Sequence, residues 1–101
     1  MRVASEIRRR LDAALSPTRL ELVDESNRHA GHAGARPEGE THFRLTIVAE
    51  AFAGLRPVDR QRMVYAALGD LMRTDIHALS IAALSPAEAE RGVEDQEKPV
   101  R

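Results

Sequence analysis

The sequence holds 101 residues with a formal net charge of -1; 43% are hydrophobic, 31% are charged and none is cysteine. That length admits one folded domain, and the near-zero charge supplies no general attraction to a phosphate backbone or an anionic membrane. Without thiols there are no disulfides, no cysteine nucleophiles and no metal site built from the chain's own cysteines.

Val3, Ile7, Leu11, Ala14 and Leu15 fall on one helical face, with Glu6, Arg9, Arg10 and Asp12 elsewhere, which predicts an amphipathic first helix. Ser16 and Pro17 stop it. Arg19 to Asp24 alternates, with Leu20 and Leu22 on one side, as in a half-buried strand. From Ser26 to Glu40 the pattern vanishes into a long loop carrying Gly31, Gly34, Pro37 and Gly39, long enough to invite a functional explanation. Thr41 to Ala49 then resumes strict alternation, with Phe43, Leu45, Ile47 and Ala49 facing one way.

After a bend at Phe52 to Gly54, Pro57 sits at a first-turn position, and Val64, Ala67, Leu68, Leu71 and Met72 keep helical spacing. This is the main helix. Ile76 to Ala83 follows as a third strand, apolar on both faces and therefore expected to be the most buried. Ser85, Pro86 and Glu88 make a capping box that opens a short final helix, which Gly92 is expected to end. Residues 93–101 are polar and aperiodic and read as a disordered tail. A helical crossover makes the second and third strands parallel neighbours, while the first two pair antiparallel. The expected fold is α/β (α+β): a mixed three-stranded sheet with helices on one face. The chain's start has no apolar core of signal-peptide length, and no run approaches the roughly 20 apolar residues of a membrane helix, so a soluble, cytoplasmic protein is expected.

Several separated motifs agree in order with one known family. Leu20 to Ser26, His29-Ala30-Gly31-His32, Glu40-Thr41-His42-Phe43, Phe52 with Gly54, Arg60 to Tyr65 and Ile76-His77-Ala78-Leu79 resemble the BolA family, over roughly Ile7 to Glu88. The resemblance implies a KH-like fold of the second topological type, α-β-β-α-α-β-α, with residues 1–92 as a BolA-like domain. Gly31-His32-Ala33-Gly34 spells the Gly-x-x-Gly of a KH clamp but lies between strands, so it carries no phosphate-gripping role. Family members usually read Arg-His-Arg where this chain has Arg60-Gln61-Arg62, and many carry a Trp after the last proline where this chain has Ala and Glu.

Neutral imidazole is the best soft-to-borderline ligand left in a chain without thiols, and His29, His32, His42 and His77 all fall in or beside the loop and strands. Imidazole replaces thiolate at one or two positions of some [2Fe-2S] clusters, so a cysteine-free chain supplies a minority of ligands and a partner the rest. The resemblance implies such a partner: a monothiol glutaredoxin of the Cys-Gly-Phe-Ser type, bridging the cluster with its cysteine and glutathione, in iron–sulfur trafficking or iron and redox regulation. The family's C-terminal histidine maps onto His77. Its variable second ligand lies in the loop, where both His29 and His32 stand open, with the spacing after Ser26 favouring His29. By pattern alone His77 shares the face of Leu79 and Ile81 and reads as a core-edge histidine, and His29 and His32 read as solvated. His42, among polar neighbours at a strand start, stays outside the expected ligand set. A histidine-only zinc site built on the His29 and His32 pair ranks behind the shared cluster.

The alternative is a DNA-binding regulator of stress or morphology, with Arg56, Arg60 and Arg62 as candidate contacts on a helix-turn-helix-like element. Asp59 and Asp70 on the same helix argue for an ordinary solvated face. Arg60 and Arg62 could equally meet acidic groups on a protein partner. No spacing assembles a nucleophile elbow, a phosphate loop or a paired-carboxylate cleft, so catalysis is not expected. The free chain is expected to be a monomer or a weak homodimer with no membrane partner.

Overall fold

The computed structural model describes residues 2–25 and 42–97. Helix α1 (Arg2–Leu15) turns Val3, Ile7 and Leu11 inward, as its apolar spacing requires. Strand β1 (Arg19–Asp24) pairs antiparallel with β2 (His42–Val48), and β2 pairs parallel with β3 (Ala78–Leu84), in the order β1-β2-β3. The crossover between β2 and β3 carries a 3-10 turn at Glu50–Phe52, helix α2 (Pro57–Leu68) and the short α3 (Leu71–Thr74). Helix α4 (Pro86–Glu97) closes the described chain.

Alternation sorts the sheet's side chains onto two unlike faces. Leu20, Leu22, Phe43, Leu45, Ile47, Leu79, Ile81 and Ala83 meet Val3, Ile7, Leu11, Val64, Leu68 and Leu71 in one core. The opposite face presents Glu21, Val23, Arg44, Thr46, Ser80 and Ala82 around a shallow concavity of about 560 Å³. Among the described residues no helix is long and apolar enough to cross a membrane.

Three expectations change in detail. The most buried strand is the central β2, where Phe43, Leu45, Ile47 and Val48 are at most 3% exposed, whereas β3 is an edge strand that alternates exposed and half-buried residues over most of its length. An apolar strand is buried on both faces only when helices cover both, and here the second face of β3 carries small residues, Ser80 and Ala82, over the open concavity. The main helix, continuous by periodicity, breaks at Gly69, whose φ of 58° and ψ of -129° suit glycine alone; its N–H donates to the Tyr65 carbonyl at 2.9 Å, and α3 restarts to bury Leu71. The last helix runs through Gly92 to Glu97. A single glycine costs a helix only about 1 kcal/mol, and Glu90, Arg91, Glu94, Gln96 and Glu97 around it are good helix formers. Residues 98–101 of the expected tail lie outside the described residues.

Candidate functional site

The parallel pairing of β2 with β3 sets His42 opposite Ala78, so both strands begin at the same end of the sheet, and His77 immediately precedes that end. Two local features fix the approach to His77. The N–H groups of Asp75 and Ile76 both donate to the Leu71 carbonyl at 3.0 Å, closing the last turn of α3, and the Ile76 side chain is buried. His77 is thereby left exposed one residue before the ladder starts. Its ring meets that of the half-buried His42 edge to face, with centroids 5.9 Å apart and an interplanar angle of 75°.

The same end of the sheet anchors the segment between β1 and β2. The Glu25 N–H donates to the His42 carbonyl at 2.7 Å, one step beyond the Asp24 and Phe43 pair that ends the ladder. The Glu25 carboxylate also pairs with Arg44 at 2.6 Å. Chain flanking positions 26–41 therefore leaves and re-enters the described fold beside the two imidazoles. The expected ligands His29 and His32 lie outside the described residues, whereas His77 lies at this end of the sheet with His42 against it. Among the described residues no three or more His, Cys, Asp or Glu side chains converge in a way that could hold a metal ion. The chemistry at hand is one exposed imidazole, His77, with the ring of His42 packed against it, fit to contribute one donor to a borderline metal centre completed by ligands from elsewhere.

The sequence reading places His42 outside the ligand set and gives no sign of its contact with His77. Its partnership depends on the register of a parallel pair of strands separated by a whole crossover, and periodicity reports a face but not a register.

The three arginines separate. Arg60 is turned inward, its side chain 9% exposed. It donates to the Leu55 carbonyl at 3.0 Å, to the Ala83 carbonyl at 2.9 Å and, two-pronged, to the Glu88 carboxylate at 2.6 and 3.0 Å. Glu88 in turn accepts the Ser85 N–H at 2.9 Å, and its own N–H donates to Ser85 Oγ at 3.3 Å, so the expected capping box forms and is stapled to α2. Arg56 and Arg62 stay exposed at 73% and 72%, and both lean on Asp59, at 2.9 and 3.6 Å.

Hydrogen bonding from Arg60, then from the Ser85 N–H, holds the Glu88 carboxyl at about 2, below its ordinary 4.5. Because the folded state keeps the proton off more strongly than the unfolded one, this contribution is full above about pH 4.5 and is lost as pH falls towards 2. Glu6, also at about 2 beside Arg9 and Arg10, titrates in the same window. Acid unfolding followed by circular dichroism should therefore show stability falling between pH 4.5 and 2, with a shallower fall in Glu88→Gln. An identical slope in that variant would contradict the staple.

A family model described as BolA-like protein matches residues 11–88. The chain is 48% identical over 86 residues to "SufE-like protein 1, chloroplastic/mitochondrial" of Arabidopsis thaliana, covering 81% of this chain and 23% of that protein. It is 38% identical over 95 residues to the "DNA-binding transcriptional regulator BolA" of Escherichia coli K12, covering 94% of this chain and 86% of that one. The chain spans between 23% and 61% of the length of several of the curated relatives it matches. Among solved structures, the BolA domain of SufE1 from Arabidopsis thaliana superimposes with a TM-score of 0.72 at 46% identity, over 83% of this chain and 92% of that one.

Proposed function

Because the chain belongs to the BolA-like protein family, we propose that it is a non-catalytic adaptor that binds a monothiol glutaredoxin and shares a [2Fe-2S] cluster with it. One observation carries the reading: the exposed His77 imidazole stands where chain flanking positions 26–41 leaves and re-enters the sheet. In this reading His77 is one donor. The second comes from His29 or His32; His29 is four residues past Glu25, a tether of at most about 14 Å when fully extended. In this reading the glutaredoxin cysteine and glutathione complete the cluster, this chain having no thiol of its own to give. The cluster is cargo held between two proteins, and this chain's part is to present imidazole and a docking surface around it. Cluster delivery or iron and redox regulation in the cytoplasm is the role that follows.

Mixing the chain with a glutathione-loaded monothiol glutaredoxin carrying the cluster is expected to give a heterodimer whose visible absorption differs from that of the glutaredoxin homodimer. His77→Ala should fold, since the exposed ring contributes little to the core, and should lose the altered spectrum. An unchanged spectrum in that variant refutes the proposal. Parallel His29→Ala and His32→Ala variants identify the second donor.

The exposed Arg56 and Arg62, together with the name of the Escherichia coli relative, favour DNA binding as a second reading. It predicts affinity that falls steeply with salt and survives His77→Ala, with Arg56→Ala and Arg62→Ala each lowering the slope of log affinity against log salt by about 1. A salt-independent affinity would exclude it. Arg60 has no part in this reading, because its fork is engaged inside the fold.

A further inference from the structure

We infer that His42 is a positioning residue for His77, an inference that rests on the cluster-sharing role proposed above. His77 lies on the turn between α3 and β3, is exposed, and among the described residues makes no side-chain hydrogen bond. A ligand in that situation loses freedom when it binds, unless something in the free chain already restrains it. Among the described residues the edge-to-face contact with His42 supplies that restraint: centroids at 5.9 Å and planes at 75° lie within the favoured geometry for aromatic pairs.

His42 is suited to hold rather than to be held. Its backbone is fixed from both sides, by the Glu25 N–H on its carbonyl and by its place opposite Ala78 in the parallel ladder. The next residue, Phe43, is 3% exposed and anchors the strand in the core. The ring of His42 is half-buried and shares the sheet face of Arg44 and Thr46. The central strand thus carries a flat aromatic surface to the exposed ring of His77. Contacts of this kind bias ring orientation by roughly twofold to tenfold. The part of His42 that meets His77 is the face or edge of its ring, so phenylalanine should serve in this contact.

The test titrates the cluster-loaded glutaredoxin into the full chain and its His42→Ala and His42→Phe variants, following visible absorption, and records the His77 ring proton resonances of each free chain. His42→Ala is expected to raise the midpoint of complex formation by roughly twofold to tenfold and to move the His77 resonances towards those of a free imidazole. His42→Phe should restore the midpoint and keep the His77 ring in an aromatic environment. The absorption spectrum at saturation should be the same for all three chains. An unchanged midpoint in His42→Ala overturns the inference, and so does failure of His42→Phe to restore it, which would make His42 a donor in its own right. His77→Ala run alongside separates the two levels. If it leaves the spectrum unaltered, the cluster-sharing role fails and the positioning role with it. If it abolishes the altered spectrum while His42→Ala changes nothing, only the positioning role fails.

Discussion

Replacing Arg60 with alanine is expected to cost about 3 kcal/mol of folding stability, read as a lowered urea midpoint, while leaving the glutaredoxin-dependent spectrum unchanged wherever the variant is folded. The size follows from what the guanidinium satisfies. Two carbonyls, of Leu55 and Ala83, lose their donor, and the Glu88 carboxylate loses a two-pronged partner in a site where the arginine is 9% exposed. Among the described residues no buried side-chain nitrogen or oxygen lacks a partner, so the fold has no slack of this kind to absorb the change. Glu88 retains only the Ser85 N–H and its remaining contact with water. Lysine at position 60 should recover only part of the loss, because a point charge on a flexible stem cannot reach two carbonyls and both carboxylate oxygens at once. A midpoint within error of the parent would show that these bonds add nothing net.

Phe52→Ala is expected to cost about 3–5 kcal/mol, the usual range for emptying a fully enclosed aromatic site. Phe52 is 0% exposed and belongs to the same core as Leu45, Ile47 and Val64. It sits on the 3-10 turn between β2 and α2, its N–H donating to the Ala49 carbonyl at 3.1 Å. A turn has few ways to collapse into the space left behind, so most of the cavity should persist. Against a total stability of about 5–15 kcal/mol for a domain of this size, either substitution removes a large share. Phe52→Leu, which refills most of the volume, should lose much less. A loss below about 1 kcal/mol for the alanine variant, measured by equilibrium denaturation, would contradict the packing.

How much of this was legible beforehand differs by level. The element order and both strand pairings follow from spacing and from the length of the crossover, and the capping box at Ser85 and Glu88 forms as its residues require. The Gly69 break was hidden because the apolar stripe from Val64 to Met72 resumes in phase on α3, and periodicity is blind to a hinge that preserves phase. The placing of β3 at the edge was hidden because alanine satisfies either a buried or an open face. At the candidate site, His77 is named on resemblance, and the contact of His42 with it was not legible because contact across a parallel pair is a matter of register. The inward turn of Arg60 was equally silent: nothing local to an Arg-x-Arg run tells which member enters the fold, and its partner lies 28 residues away.

The bond between Glu25 and the His42 carbonyl has a consequence for how this kind of protein can vary. Since the sheet itself clamps both ends of the intervening stretch, the cost of lengthening that stretch grows only logarithmically, about 0.6 kcal/mol for each doubling. The pairing of the first two strands can therefore keep its register while the length of chain between them changes.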